Sequence, residues 1–259
     1  MGGARVTEAR PRAATRRTLN SVYRALLAEY GPQQWWPVGP GDGPTQRLEI
    51  CLGAILTQNT AWRGAAAALA RLRAADMLSL HALLGTPEAV LADLVRPAGH
   101  FNVKASKLRE FARVALEEHG DLDALLTPSA RAPADGGADE VRVRLLEIWG
   151  VGPETADAIV LYAARLPTFV IDAYSRRLVE RLALLPAVEG EAASGRPRYE
   201  RERRLFIDRI DAEVPLLNQW HALIVRHGQN RCRRRDPLCA GCPLLARCPH
   251  GRRELGLGG

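Results

Sequence analysis

Apolar residues recur every three or four positions along most of the chain, which is the spacing that one face of an α-helix requires. No segment alternates between apolar and polar residues over five positions, so we expect no substantial β-sheet. The pattern predicts an all-α protein. The predicted helices are Thr18–Tyr30, Arg47–Thr57, Trp62–Arg73, Asp76–Leu83, Pro87–Arg96, Val103–His119, Glu140–Ile148, Pro153–Ala164, Asp172–Leu184, Arg198–Asp211 and Pro215–Arg226.

Three polar or Gly/Pro-rich stretches separate these helices and are predicted to be loops. They are residues 33–45, 128–138 and 187–197, and beyond Gly228 the chain is rich in cysteine and proline. No apolar run approaches the roughly 18–20 residues of a membrane span. The basic N-terminus is not followed by the apolar segment of a secretory signal. We therefore expect a cytoplasmic protein with no membrane partner.

Basic residues concentrate at the two ends of the 259-residue chain, whose formal net charge is +7. Residues 1–18 carry five arginines and one glutamate, and residues 226–253 carry eight arginines and one aspartate. The remainder is net acidic, so the pattern favours a polyanionic partner, with nucleic acid as the first candidate. A solvated tail combined with a chance cluster is the alternative. Lys104 and Lys107 are the only lysines.

Four of the five cysteines lie close together in the sequence, spaced Cys232-x6-Cys239-x2-Cys242-x5-Cys248. A reducing compartment argues against disulfides, so the clustering favours a metal site. Structural zinc usually takes two closely spaced cysteine pairs. This segment has one such pair and two single cysteines at larger spacings. That spacing favours an iron–sulfur cluster, with zinc as the alternative. Cys51, within an apolar helix, is expected to be a small buried residue.

A Gly-Val-Gly turn joins two predicted helices at Gly150 and Gly152, and Pro153 opens the second helix. The glycines permit positive φ and close approach to a partner, and the new helix points its free N–H groups outward. This turn predicts a phosphate-binding site, although an ordinary helical corner has the same pattern. No strand precedes it, so it is not a dinucleotide-binding fingerprint.

Asp172 follows an apolar triplet and precedes a helical pattern. An aspartate in that position is most often a helix N-cap. A cap also fixes a carboxylate rigidly at the mouth of a helix, so the residue is a candidate for catalysis as well as for capping.

The hairpin, the aspartate twenty residues after its second glycine and the cysteine spacing together resemble the endonuclease III branch of the helix-hairpin-helix DNA glycosylases. The resemblance covers roughly residues 19–250. It implies an all-α fold of two helical lobes with a DNA-binding groove between them. It also implies a 4Fe–4S cluster held by the four cysteines and a catalytic role for Asp172.

The resemblance also implies which residues contact DNA. Residues 55–60 resemble the family segment whose glutamine fills the gap left by a flipped base, and residues 99–105 resemble its second DNA-probing loop. The implied DNA-binding residues are Gln58, Asn59, His100, Gly150, Gly152, Thr155, Arg233, Arg234 and Arg235. Trp35, Trp36, Trp62 and Tyr174 are candidates for a base pocket or for the core.

One departure from the family concerns strand cleavage. Glu154 stands where endonuclease III has the lysine that forms a Schiff base with an abasic sugar. The segments Gly-Pro-Glu-Thr-Ala-Asp and Leu-Thr-Gln-Asn-Thr are more similar to the endonuclease III-related 3-methyladenine glycosylases. A carboxylate in a first helical turn also complements the helix dipole.

The resemblance therefore implies a monomeric, monofunctional base-excision-repair glycosylase acting on double-stranded DNA that contains a damaged base, associated with the nucleoid. The alternatives are a bifunctional glycosylase with abasic-site lyase activity and a non-catalytic DNA damage-binding protein. The expected domains are a basic disordered tail (1–17), a helical bundle ending in the hairpin (46–165) and an iron–sulfur cluster domain (18–45 plus 166–259).

Overall fold

Helices account for all the regular secondary structure in a computed structural model that describes residues 13–36, 43–132, 136–188 and 195–257. The α-helices are α1 (Arg16–Tyr30), α2 (Gly43–Leu56), α3 (Trp62–Ala74), α4 (Leu80–Gly85), α5 (Glu88–Leu94), α6 (Phe101–Arg113), α7 (Leu122–Leu126), α8 (Gly137–Glu147), α9 (Pro153–Ala158), α10 (Ala173–Arg181), α11 (Arg196–Ile207), α12 (Val214–Asn230) and α13 (Pro249–Glu254). The 3₁₀ turns are Arg96–Ala98 and Leu245–Arg247, and the π-helical turns are Val114–Glu118 and Ile159–Ala163. The all-α prediction is confirmed.

Side-chain caps explain the start of one helix that was predicted too early and of one helix that was not predicted. The helix predicted over Asp76–Leu83 begins only at Leu80, because Ser79 Oγ accepts a hydrogen bond from the Ala82 amide at 3.1 Å and Asp76 has a φ of +55°. Asp121 caps the short helix α7 at a distance of 2.7 Å from the Ala124 amide, and the sequence pattern gave no prediction there. Ser, Thr and Asp favour such caps because a side-chain oxygen satisfies an otherwise unpaired helix N–H.

One predicted tail and three predicted loops are shorter than expected. The predicted tail 1–17 overlaps α1, since Thr15 Oγ1 accepts from the Thr18 amide at 3.2 Å and Arg16 starts the helix; residues 1–12 lie outside the described residues. Residues 43–45 belong to α2, residues 137 and 138 to α8, and residues 196 and 197 to α11. The remaining parts 37–42, 133–135 and 189–194 also lie outside the described residues.

The described residues form two compact units. One comprises residues 13–33, 171–188, 195–211 and 219–257, and the other comprises residues 34–36, 43–132, 136–170 and 212–218. Residues 34–36, 43–45, 166–170 and 212–218 were expected in the cluster domain and lie in the second unit. The groove predicted between two lobes stays a prediction.

Helix α2 forms the centre of the second unit. Every residue from Leu48 to Leu56 is buried, including Cys51, which confirms the expectation for that cysteine. The helix packs against α3, α6 and the π-helical turn at 159–163. Truncating a fully buried leucine in such a helix to alanine costs about 2–5 kcal/mol, so α2 is a rigid support for the loop that follows it.

In the first unit, α1 buries Leu19, Val22 and Leu26, and Trp220 of α12 packs against Tyr23 and Phe206. None of the helices in the described part of the chain combines the length and apolar character that a membrane-spanning helix requires.

Candidate DNA-binding and catalytic site

The predicted hairpin is formed by the end of α8, the turn 148–152 and the start of α9. Gly150 has a φ of +88°, as expected, whereas Gly152 has a φ of −93° and does not need glycine for its backbone conformation. The Val151 amide donates to the Ile148 carbonyl at 3.0 Å and closes the turn. A buried ion pair between Arg142 and Asp157, with N–O distances of 3.0 Å, ties α8 to α9 behind this turn.

Gln58 contacts the hairpin directly. Its Nε2 donates to the Gly150 carbonyl and to Thr155 Oγ1, each at 2.9 Å, and its Oε1 accepts from Lys107 Nζ. Asn59, the next residue, is exposed and has a φ of +53°. The α2–α3 loop therefore directs the side chain of Gln58 toward the hairpin and leaves Asn59 exposed.

The second predicted probing loop lies at the start of α6. His100 is exposed and has a φ of +44°. Lys104 is buried, and its Nζ donates to the carbonyls of Leu56 at 2.8 Å and Ala98 at 2.7 Å. Burial, with a smaller contribution from the charge of Lys107, lowers the pKa of Lys104 to about 8. Lys104 therefore connects the loop before α6 to the end of α2.

Glu154 is exposed in the first turn of α9, where its carboxylate complements the positive end of the helix dipole. Thr155 is buried next to it and faces Gln58. Trp149, immediately before Gly150, is 57% exposed. Exposure of so large an apolar ring in this turn could not be predicted from helical periodicity, because the residue lies between two helices.

Asp172 is the N-cap of α10, as predicted. Its Oδ1 accepts from the Ser175 amide at 2.7 Å, and its Oδ2 lies 3.6 Å from Nε2 of the buried His221. Burial alone would raise the pKa of Asp172, but His221 and the Ser175 amide outweigh it and hold the pKa below its usual value. The side chain is 15% exposed, and the Ser175 amide holds its ionised carboxylate in place.

His221 was not singled out in the sequence, because it lies in the apolar pattern of α12, far along the chain from Asp172. The sequence alone does not distinguish such a histidine from an ordinary core residue, because it does not show which side chains the histidine contacts. Its contact with Asp172 makes it part of the candidate catalytic site.

The four clustered cysteines line one cavity at the C-terminal end of the first unit. None of the five cysteines, all of which lie in the described residues, forms a disulfide. A Cβ placed on Gly251 would lie 3.5 Å from the Sγ atoms of both Cys239 and Cys248, so glycine leaves room beside them. Burial, followed by the charges of neighbouring cysteines, raises the pKa of the Cys239 thiol.

Two arginines of α10 hold the segment that carries these cysteines. Arg181 donates to Cys232 Sγ at 3.2 Å and to the Arg233 carbonyl at 2.8 Å, and Arg177 Nε donates to the Cys232 carbonyl at 2.7 Å. Among the described residues, no group of three or more His, Cys, Asp or Glu side chains is arranged to hold a single metal ion.

The predicted DNA-binding arginines 233, 234 and 235 are all exposed. Other basic residues near the ends of the chain pair within the protein. Arg16 lies 2.8 Å from Asp211, and Arg231 lies 2.9 Å from Glu29. Fewer arginines near the ends of the chain are therefore available to a polyanion than their number in the sequence suggests.

The tryptophans proposed for a base pocket form a cluster in the second unit. The ring centroid of Trp36 lies 5.2 Å from that of Trp62 and 5.3 Å from that of Tyr162, and Trp35 packs against both other tryptophans. Tyr174 lies in the first unit, where its ring faces Gly228 and the Arg177 guanidinium. Tyr174 is therefore not a member of the tryptophan cluster.

Comparison with known proteins gives a family match and full-length relatives. Residues 52–195 match the model of the HhH-GPD superfamily of base excision DNA repair proteins. The chain is 34% identical over 227 residues to a candidate DNA repair glycosylase of Methanocaldococcus jannaschii, covering 88% of this chain and 94% of the relative.

Two solved structures share the fold. A trapped covalent complex of endonuclease III with DNA superposes with a TM-score of 0.72 at 17% identity, covering 93% of this chain and 99% of that chain. The H. pylori 3-methyladenine DNA glycosylase bound to 1,N6-ethenoadenine superposes with a TM-score of 0.61 at 24% identity, covering 83% of this chain and 97% of that chain.

Proposed function

Because the chain belongs to the HhH-GPD superfamily of base excision DNA repair proteins, we propose that it is a DNA glycosylase that hydrolyses the bond between a damaged base and its sugar. The observation that carries this proposal is the ionised carboxylate of Asp172, fixed at the N-terminus of α10. Glycosidic bonds break through an oxocarbenium-like sugar, and a preorganised negative charge stabilises that developing cation.

In the proposed reaction, the hairpin around Gly150 and the exposed arginines 233–235 bind DNA phosphates. The damaged nucleotide leaves the base stack, since chemistry on a base requires its extrusion from the duplex. Asp172 then stabilises the sugar cation and orients or deprotonates the attacking water.

We propose further that strand cleavage is weak or absent. A Schiff base at an abasic sugar needs an amine, and Glu154 offers a carboxylate in the position where endonuclease III has lysine. The two lysines of the chain are engaged elsewhere, since Lys104 binds two backbone carbonyls and Lys107 binds Gln58.

The four cysteines fit a 4Fe–4S cluster, which we propose as the cofactor. The fit rests on the shared cavity, on the room that Gly251 leaves beside two of the sulfurs, and on four thiolate donors of the kind that such clusters use. When bound, the cluster supplies a rigid cross-link between four thiolates and a one-electron redox centre. Arg181 would donate a hydrogen bond to the Cys232 ligand and hold the loop.

The test is an incision assay on duplexes that each carry one alkylated, oxidised or deaminated base, or an abasic site, with and without alkali. We expect at least one duplex that carries a damaged base to break only after treatment with both protein and alkali, because a monofunctional glycosylase leaves an intact abasic strand. Breaks without alkali would indicate a bifunctional enzyme. Binding of every duplex without base release would indicate a damage-binding protein and contradict the proposal.

A further inference from the structure

Gln58 has no spare donor while it contacts the hairpin. A side-chain amide has two N–H donors and one carbonyl oxygen. The two groups that accept from Nε2, the Gly150 carbonyl and Thr155 Oγ1, each lie 2.9 Å from it. The amide oxygen accepts from Lys107 Nζ. In this arrangement, the side chain links the α2–α3 loop, α6 and the hairpin within one unit.

The stem of Lys107 lies directly against the hairpin backbone. A Cβ placed on Gly150 would be 2.6 Å from Lys107 Cγ and 2.8 Å from its Cδ, closer than such atoms approach in proteins. Glycine is therefore required here by the lysine stem as well as by the φ of +88°. Lys107 is half-buried, and burial lowers its pKa.

Asn59 differs from Gln58 in its exposure and in its backbone conformation. It is exposed, and its left-handed backbone, which asparagine tolerates better than most residues, turns the loop outward at this position. The loop before it is fixed by Lys104, which binds the carbonyl at the end of α2.

We propose that Lys107 is a positioning residue, which through Gln58 braces the phosphate-binding hairpin, and that Asn59 is the side chain that this loop inserts into the gap in the duplex. The inference rests on the proposed DNA-binding function and reassigns the gap-filling role that the family resemblance gives to Gln58. It explains why Gln58 is half-buried while the adjacent Asn59 is exposed.

The first measurement is hydrogen exchange of the backbone amides of residues 148–156 in the full-length protein without DNA. Gln58→Ala removes both hydrogen bonds to the hairpin and should accelerate exchange at least about fivefold, and Lys107→Met, which removes only the bond that orients Gln58, should accelerate it by a smaller factor. The variant that carries both substitutions should exchange about as fast as Gln58→Ala alone, because the two substitutions remove the same connection to the hairpin. Gln58→Glu should accelerate exchange further, since it places a carboxylate against the Gly150 carbonyl. Asn59→Ala is the matched control and should leave exchange unchanged.

The second measurement uses a duplex that carries a tetrahydrofuran abasic analogue flanked by 2-aminopurine, at saturating protein. Asn59→Ala should lose the fluorescence change that accompanies gap filling, whereas Gln58→Ala should keep it and bind more weakly. Unchanged hairpin exchange in Gln58→Ala, or loss of the fluorescence change in Gln58→Ala alone, would overturn the inference. Neither measurement requires base excision, so failure of the proposed enzymatic function would be recognised separately.

Discussion

The carboxyl group of Asp172 both caps α10 and contacts a buried histidine. One oxygen accepts a hydrogen bond from the Ser175 amide and caps α10, and the other lies 3.6 Å from Nε2 of the buried His221. Desolvation opposes ionisation, yet the donors around the group keep it charged at neutral pH. A group that must stabilise a sugar cation benefits from this rigidity, because its orientation needs no adjustment during the reaction.

The low pKa of Asp172 predicts how stability depends on pH. A depressed carboxyl pKa contributes stability that is fully present above the unfolded value, near 3.8, and is lost as pH falls through the lower folded value. Asp172→Ala should therefore lower the free energy of unfolding by about 1 kcal/mol at pH 7, the usual value of a cap, and by the same amount at about pH 4.5. Urea unfolding at both pH values checks this. A difference that is larger at about pH 4.5 than at pH 7 would mean that folding raises the carboxyl pKa.

The carboxylate of Glu154 is predicted to prevent trapping of the protein on abasic DNA. The wild-type chain should show no efficient cross-linking by borohydride, because a carboxylate cannot form an imine. Glu154→Lys should produce some cross-linking, and Glu154→Gln, which removes the charge without adding an amine, should produce none. Gel electrophoresis of the trapped complexes measures this. Strong trapping of the wild-type protein, mapped to Lys104 or Lys107, would contradict the assignment.

Single residues were predictable where their role is local. The capping position of Asp172 and the positive φ of Gly150 follow from neighbouring residues. The roles of His221, Lys107 and Trp149 depend on which helices meet in space, and the spacing of apolar residues carries no such information. Gln58 was identified as functional from a local motif, but its hydrogen bonds to the hairpin became evident only from the fold.

At the scale of elements, α10 connects the candidate catalytic residue with the cysteine segment. Asp172 caps its first turn, while Arg177 and Arg181, one and two turns later, donate to the backbone and sulfur of Cys232. The exposed side chains of arginines 233–235 extend from the backbone that Arg181 holds. One helix therefore positions both a carboxylate and a basic loop.

This loop predicts a salt-dependent affinity for DNA. Each neutralised phosphate adds about 0.9 to the slope of log affinity against log salt, through release of counterions. Replacing Arg233, Arg234 and Arg235 with glutamine should reduce the slope by about 0.9 for every phosphate that the variant no longer neutralises. Fluorescence anisotropy with an undamaged duplex at several salt concentrations measures it. The matched lysine variants should keep the slope, and an unchanged slope in the glutamine variant would mean that these arginines do not bind phosphate.

The cysteine cavity predicts the metal content of the protein. Protein purified without oxygen should contain about four iron and four sulfide per chain and absorb at roughly 400 nm. Cys239→Ser should lose most of this absorbance, whereas Cys51→Ala should retain it, since Cys51 is in the core of the other unit. About one zinc per chain without sulfide would contradict the iron–sulfur proposal.

Elements were predictable to the extent that their apolar residues repeat over several turns. Helices such as α1, α3 and α12 were expected at nearly their observed positions. Short helices such as α7 and α13 contain too few residues to show a period, and their starts are fixed by Asp121 and Cys248 side chains that accept backbone N–H bonds. The π-helical turns at 114–118 and 159–163 leave no recognisable signal in the sequence.

For the whole molecule, the spacing of apolar residues predicted the all-helical class, and three motifs that occur together in the sequence indicated the family. Charge was a weaker guide to the binding surface. The net charge of +7 indicated a polyanionic partner, but ion pairs such as Arg16–Asp211 and Arg231–Glu29 neutralise part of the basic ends. Which arginines remain for DNA is a property of tertiary structure.

The central claim is that Asp172 catalyses base release, and single-turnover chromatography of the freed base tests it most directly. On any duplex from which the wild-type protein releases a base, Asp172→Asn should reduce the rate by at least about 100-fold, because the amide keeps the cap but supplies no negative charge. Its affinity for the same duplex should be unchanged or higher. Release by Asp172→Asn at the wild-type rate would contradict the account and leave Asp172 as a helix cap only.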